Sequence, residues 1–164
     1  TTEHVIKKYG SNPERSAASR NAMKESGDAL GFAFNFGPES RIWNTFDAHR
    51  LLHWAGVEGK QHELKEALFK ANFTDQLSTS DHEVLVGAAV AAGLDEERAR
   101  QVLASGEFTD EVRRDEMLWR NRGISAVPSV IFNQRWMVQG GQPPQVFEQA
   151  IRQIVSGNAE DARA

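Results

Sequence analysis

Two histidines at helical spacing are the first residues in this sequence whose types and positions suggest chemistry. His49 and His53 are four residues apart, and Asp47 lies close to them in the chain. On a helix this spacing places two imidazoles on one face, where they could bind zinc. The intervening residues lack the glutamate of a metalloprotease helix, and no third ligand is evident. We therefore interpret both histidines as helix-surface or interdomain residues and predict no metal site.

Cysteine does not occur in the 164 residues. Disulfides, thiolate metal sites and cysteine nucleophiles all need its sulfur atom. The sequence also shows no recognisable Ser–His–Asp arrangement and no glycine loop suited to phosphate. Charged pairs at helical spacing, such as Lys60 with Glu63, are typical of solvated helix surfaces. We predict no catalytic residue and no cofactor site within this chain.

The elements that would position functional groups are helical up to Gly123. Apolar residues recur there at intervals of three and four, and glycines follow several of these segments, as is typical of helix ends. Asp95 is a predicted helix cap, and Ser80 with Glu83 is a predicted capping box. The predicted helices lie at about residues 2–9, 13–30, 44–56, 60–73, 81–92, 95–104 and 109–122.

Three phenylalanines alternate with smaller residues at positions 32–36. Alternation is typical of a strand, but the run is very short. We interpret it as an extended connector that lays three rings into a core. The four tryptophans could line a groove for unfolded peptides, although we expect most of them to be core residues. They are Trp43, Trp54, Trp119 and Trp136.

After Gly123 the pattern becomes extended. Two short apolar runs, 130–132 and 136–138, flank Asn133-Gln134 and predict an antiparallel hairpin with a two-residue turn. Consecutive prolines at 143 and 144 begin a last amphipathic helix. A two-stranded hairpin is marginal alone in water, and this one is apolar on both faces. We expect a missing segment, a homodimer partner or a swap between copies to complete the sheet.

Composition narrows the class of protein. Hydrophobic residues make up 40% and charged residues 26%, as in ordinary folded domains. No apolar run approaches the roughly 18 residues of a membrane span, so we predict no membrane partner. A net charge of -4 with scattered basic residues argues against nucleic acid. The first residues do not form a leader, which favours the cytoplasm, and we expect the chain to begin inside a longer or processed protein.

The sequence resembles a bacterial protein family in two places. Residues 123–128 (GISAVP), the hairpin and residues 139–144 (QGGQPP) resemble the end of a DsbA-family protein of the FrnE type. Residues 44–55 (NTFDAHRLLHWA) are similar to the helical insertion of the same group. The resemblance implies a mainly α protein with a small β part, in which a helical insertion interrupts a thioredoxin-like fold. It implies an insertion at 1–122, the returning thioredoxin half at 123–156 and a polar tail at 157–164.

The resemblance also implies an activity and a site. The family catalyses thiol–disulfide exchange on protein or small-thiol substrates through a Cys-x-x-Cys pair that precedes the insertion. It implies a substrate-binding loop at Ala126, Val127 and Pro128 with a cis proline, although X–Pro bonds in general are mostly trans. Ala126 departs from the family, which often has glycine there. Since this chain lacks cysteine, we favour loss of the dithiol segment over a naturally non-redox relative.

Two alternatives to the oxidoreductase stay open. One is a glutathione-dependent transferase or isomerase of the same superfamily, in which a serine replaces the first cysteine. The other is a non-catalytic helical interaction module, which fits the literal sequence best. The residues encoded upstream of Thr1 distinguish the three hypotheses.

Overall fold

The computed structural model describes residues 13–37 and 40–157. Within these ranges the chain is mainly helical with one small antiparallel sheet, which confirms the predicted fold class. The helices are α1 (Pro13–Ala29), α2 (Phe46–Val57), α3 (Gln61–Phe69), α4 (His82–Ala91), α5 (Glu96–Ser105), α6 (Thr109–Asn121) and α7 (Pro144–Val155). The strands are β1 (Ser129–Phe132) and β2 (Trp136–Gln139). No helix in the described ranges is long and apolar enough to cross a membrane.

The chain divides into two compact units, Thr1–Val112 and Arg113–Ala164. The domain limits expected from the resemblance, 1–122, 123–156 and 157–164, stay a prediction. The expected helix at 2–9 and nearly all of the polar tail lie outside the described residues.

The first unit contains a hydrophobic core formed mainly by α2, α3, α4 and α5. Its most completely buried large side chains come from each of these helices: Leu51, Leu64, Leu85 and Val102. Trp54 is 3% exposed in the same core. Trp43 and Trp136 are only half-buried and Trp119 is exposed, so the expectation that most tryptophans are core residues is wrong.

The segment at 32–36 is extended and joins no strand, as predicted, but its three rings lie outside the hydrophobic core of buried residues. Its three phenylalanine side chains are half-buried, and the Phe34 ring lies 5.4 Å from the Phe73 ring. Asn35 fixes the segment because its N–H donates to the Phe73 carbonyl at 2.8 Å and its side-chain amide donates to the Thr74 carbonyl at 2.7 Å. The connector therefore packs against the turn that follows α3 instead of joining a sheet.

Gly27 allows α1 to pack closely against this connector. A Cβ atom at Gly27 would lie 2.5 Å from both the Phe32 carbonyl oxygen and a ring carbon of Phe34. The Gly27 carbonyl also accepts the N–H of Phe32 at 2.8 Å. The glycine that weakens α1 by propensity is thus required by its packing.

Three local predictions differ from the structure. The predicted helix at 60–73 is α-helical to Phe69 and continues as a π-helical turn, Lys70–Thr74. The α4 cap is Asp81, whose carboxylate accepts the Glu83 N–H at 2.8 Å, so the capping box at Ser80 is wrong. Asn133 and Gln134 have the positive φ of a two-residue turn, but strand pairing begins at Phe132 with Trp136, leaving three residues between the strands.

Candidate functional site

The candidate loop at 123–128 begins from a fixed helix end in the second unit. Gly123 has φ 85°, the left-handed conformation that glycine adopts at helix ends. Its N–H donates to the Arg120 carbonyl at 3.0 Å, and the Ile124 N–H donates to the Trp119 carbonyl at 3.1 Å. The loop then leads directly into β1.

The backbone hydrogen bonds of the three predicted site residues are distributed unequally. The Ala126 N–H donates to Gln139 Oε1 at 3.2 Å, and the Ala126 carbonyl accepts the Ser129 hydroxyl at 2.6 Å. The Pro128 carbonyl accepts the N–H of Gly140 at 2.8 Å. Within the described part of the chain, nothing bonds to the N–H or carbonyl of Val127.

Val127 is also strongly exposed to solvent. Its residue surface is 85% exposed, and its peptide bond to Pro128 is cis. Ala126 and Pro128, on either side of it, are held by the hydrogen bonds described above. The N–H and carbonyl of Val127 are therefore unpaired between two hydrogen-bonded residues. A passing extended peptide could use both groups without displacing a protein partner.

Gln139 contacts the candidate loop and was missed by sequence reasoning. It is the last residue of β2, opposite Ser129, and its side chain reaches back to the loop. Oε1 accepts the N–H of Ser125 at 3.1 Å as well as that of Ala126, and Nε2 lies 3.4 Å from the Gly123 carbonyl. The only sequence signal was that Gln139 begins the run QGGQPP used for the resemblance.

The second unit has no fully buried side chain among its described residues. Helix α7 has a strongly apolar face, yet Ile151 is 47% exposed and Val155 is 82% exposed. On β1, Val130 is 37% exposed while the remaining strand residues are half-buried. The hairpin and the last helix therefore present apolar surface in amounts that an ordinary domain covers.

Within the described residues, the structure brings no third ligand to the two histidines considered as metal ligands. His49 is exposed, while the His53 ring lies 5.2 Å from the ring of Phe108. Asp47 pairs instead with His82, whose Nε2 is 2.8 Å from the carboxylate. Among the residues that the structure describes, no group of three or more His, Asp or Glu side chains could hold a metal ion.

Asp47 also holds the guanidinium of Arg50 at 2.9 Å. Burial raises the pKa of Asp47, but hydrogen bonds from His82 and Arg50 lower it by more, so its pKa lies below the ordinary value. Arg50 is 3% exposed and donates to carbonyls at the end of α5, those of Val102 and Leu103. Through Arg50, this cluster joins α2 to the end of α5 and stabilises the helical core.

Comparisons with known proteins identify relatives that match most of this chain. The sequence matches the DSBA-like thioredoxin domain family over residues 2–152. The uncharacterized protein YwbO of Bacillus subtilis (strain 168) is 26% identical over 141 residues, which are 85% of this chain and 70% of that protein.

A solved structure is similar at the level of the fold. The crystal structure of a probable DsbA oxidoreductase from Streptomyces coelicolor matches with a TM-score of 0.84 and 37% sequence identity. The match covers 93% of this chain and 65% of that one, so the present chain spans just under two thirds of the Streptomyces protein. Because the family match extends over most of its residues, the chain belongs to the DSBA-like thioredoxin domain family, a family of the thiol–disulfide oxidoreductase type.

Proposed function

We propose that this chain is the larger part of a thiol–disulfide oxidoreductase of the DsbA type. The reactive cysteine pair is carried by residues that precede Thr1 in the complete protein. The FrnE subgroup and a bacterial source belong to this proposal and rest on the sequence resemblance. The observation that carries the proposal is the unpaired backbone of Val127 between two immobilised neighbours.

The chemistry needs a thiolate that this chain does not contain. In the complete protein, the first cysteine thiolate attacks one sulfur of a substrate disulfide and forms a mixed disulfide, and the other substrate sulfur leaves as a thiolate. The second cysteine then attacks the mixed disulfide, which leaves the substrate reduced and the enzyme pair oxidised. Substrate oxidation is the same sequence in reverse.

The loop residues bind the substrate and do not take part in sulfur exchange. The Val127 N–H donates to, and its carbonyl accepts from, the backbone of an extended substrate, as in peptides that add a strand to a sheet edge. Ala126 and Pro128 flank this position. Such pairing does not depend on the side chains of the substrate, so the enzyme accepts many unfolded proteins or small thiols.

The exposed apolar surface of the second unit supports the same proposal. We propose that the strand and helix bearing the cysteines complete the sheet beside β1 and β2 and cover the apolar face of α7. The three exposures described above, on β1 and α7, are what this docking would remove. A second copy of the chain, as a homodimer or by swapping, is the competing way to cover this face.

The decisive experiment compares the complete gene product with the 164-residue chain in insulin reduction by dithiothreitol. Two cysteines separated by two residues upstream of Thr1, together with turnover by the complete protein alone, support the proposal. A serine in their place with activity toward glutathione supports the transferase or isomerase. Turnover by the cysteine-free chain, or a gene that encodes nothing upstream and a chain that is inactive, contradicts the oxidoreductase.

A second experiment tests the role of Val127. In the complete protein with its second cysteine replaced by alanine, a cysteine-containing peptide is trapped as a mixed disulfide. Hydrogen exchange of the Val127 amide should slow on trapping, because its N–H gains a partner. Unchanged exchange at Val127 would contradict strand pairing there.

A further inference from the structure

The side-chain amide of Gln139 bonds to three residues of the candidate loop, Gly123, Ser125 and Ala126. Its Oε1 accepts the N–H groups of Ser125 and Ala126 at 3.1 and 3.2 Å and also lies 3.4 Å from the Ser125 hydroxyl. Its Nε2 donates to the Gly123 carbonyl at 3.4 Å. One side chain thus pairs with two N–H groups and one carbonyl of a loop that belongs to no helix or strand.

The backbone of Gln139 is itself well fixed, which gives the side chain a firm base. Gln139 pairs with Ser129 at the end of the sheet, and its carbonyl accepts the Gln142 side-chain amide at 3.0 Å. The residue is half-buried. The next residue, Gly140, donates its N–H to the Pro128 carbonyl at 2.8 Å. Both ends of the segment around Val127 are therefore tied to the same end of β2.

We propose that Gln139 is a positioning residue for the substrate-binding loop. Its amide holds residues 123–126 and so fixes the direction in which Val127 presents its free N–H and carbonyl. This inference deepens the proposed function and rests on it. Because the Gln139 side chain bonds to the loop backbone, we expect its loss to weaken substrate binding and to leave the exchange step unchanged.

A glutamine meets the demands of this position better than other side chains of similar length. Methionine has similar length but offers the loop N–H groups no oxygen. Glutamate keeps the acceptor for Ser125 and Ala126 but cannot donate to Gly123. The pair of substitutions Gln139→Met and Gln139→Glu therefore separates the acceptor from the donor role.

The first arm of the test measures hydrogen exchange of single amides by NMR in the 164-residue chain. We expect the Ser125 and Ala126 amides to exchange faster in Gln139→Met and to keep their protection in Gln139→Glu. Gln149→Met, at an exposed position on α7, is the matched control and should leave both amides unchanged. Equal protection in wild type and Gln139→Met would show that the amide does not hold the loop, whatever the enzyme activity.

The second arm measures insulin reduction by the complete protein. Loss of the bonds to the loop should raise KM about tenfold in Gln139→Met with kcat unchanged. Gln139→Glu should recover most of the wild-type KM, which a merely destabilised variant would not do. An unchanged KM, or a loss confined to kcat, overturns the positioning role. A complete wild-type protein without turnover instead contradicts the proposed function, while the exchange arm still decides whether Gln139 holds the loop.

Discussion

Arg50 places a positive charge at an almost fully buried position, and the side chains around it explain how the fold tolerates that charge. Its guanidinium donates to the carboxylate of Asp47 and to carbonyls at the C-terminal end of α5. Those carbonyls have no partner within their own helix, and a cation near the negative end of the helix dipole is favourable. Arg50 thus joins α2 to α5 inside the core.

Replacing Asp47 with asparagine should lower the free energy of unfolding by about 1–2 kcal/mol. The Asp47 side chain is 34% exposed, so solvent screening makes the loss smaller than for a fully buried pair. Urea unfolding followed by tryptophan fluorescence measures the change. Asp75→Asn breaks the exposed pair with Lys70 and is the matched control, with an expected effect within about 0.5 kcal/mol. Equal losses in both variants would contradict the special role of Asp47.

The same pair gives a pH dependence with a defined sign. Because the pKa of Asp47 is lower in the folded chain, its ionised form stabilises the fold at every pH above the ordinary aspartate value of about 3.9. This stabilisation is lost as pH falls from that value through the lower folded pKa. The difference in unfolding free energy between wild type and Asp47→Asn should therefore shrink as the pH falls below about 4. A difference that grows with acid would contradict the assignment.

Gly27 and Gly87 offer a matched pair of helix glycines. Alanine favours an open helix position over glycine by up to about 1 kcal/mol, and a Cβ at Gly87 would meet no atom within 4 Å. Gly87→Ala should therefore raise the thermal midpoint. Gly27→Ala should lower it, because the new methyl group collides with Phe32 and Phe34. Stabilisation by both substitutions would show that the close approach at Gly27 is not required.

For single residues, sequence reasoning identified those that stand in a recognisable local run. It missed residues whose hydrogen-bond partners are distant in the sequence. The resemblance, carried by a local run of residues, assigned Ala126, Val127 and Pro128 to a substrate-binding loop, and this assignment stays a prediction. Gln139 was missed because its loop partners lie 13 to 16 residues away in the sequence. Arg50 was missed because the carbonyls that accept its hydrogen bonds lie 52 to 57 residues away. No local pattern distinguishes such a glutamine or arginine from one on the surface.

Helices α2 to α7 follow closely from apolar periodicity, whereas their ends depend on which side chain reaches the first free N–H groups. Asp95 was predicted as a cap, and its carboxylate accepts the Arg98 N–H at 2.7 Å. At α4 the predicted cap was Ser80, and the structure places the cap one residue later, at Asp81. The π-helical turn after Phe69 has no signal in the periodicity, because it shifts the apolar face by a single residue.

Substitutions at these two neighbouring positions test the observed cap. Asp81→Ala should cost about 1 kcal/mol, because the Glu83 N–H loses its acceptor. Ser80 bonds to the Ser78 hydroxyl and not to the helix, so Ser80→Ala should change stability by less than about 0.5 kcal/mol. Thermal unfolding followed by circular dichroism compares the two variants. A larger loss at Ser80 would restore the capping box.

For the whole molecule, the sequence predicted a helical part followed by a hairpin and a helix. It also predicted that other residues must cover the apolar faces of the hairpin. The reason is that alternation and amphipathicity are local, so both are readable without coordinates. What covers the apolar surface cannot be read from this chain, since the covering residues are not in it under the proposed function. The division after Val112 has no signal in the sequence, because it falls inside the continuous helical pattern of α6.

A charge placed on the apolar face of α7 tests the proposed docking. Ile151→Glu should alter the unfolding free energy of the 164-residue chain by less than about 0.5 kcal/mol, because the side chain is 47% exposed there. In the complete protein the same change should cost about 2 kcal/mol or more, because it buries a carboxylate. Gln145→Glu, at an exposed position of α7, should have little effect in either form. Equal effects of Ile151→Glu in the two forms would contradict coverage.

The uneven distribution of buried side chains has a consequence for how the chain melts. All fully buried residues in the described ranges come before Arg113, so most of the heat capacity change belongs to the helical unit. The hairpin and α7 should then loosen at a lower temperature, as a separate cooperative step. Scanning calorimetry should give a total enthalpy larger than the van't Hoff value from the main peak. The helical unit should therefore unfold at a higher temperature than the unit that contains the hairpin and α7.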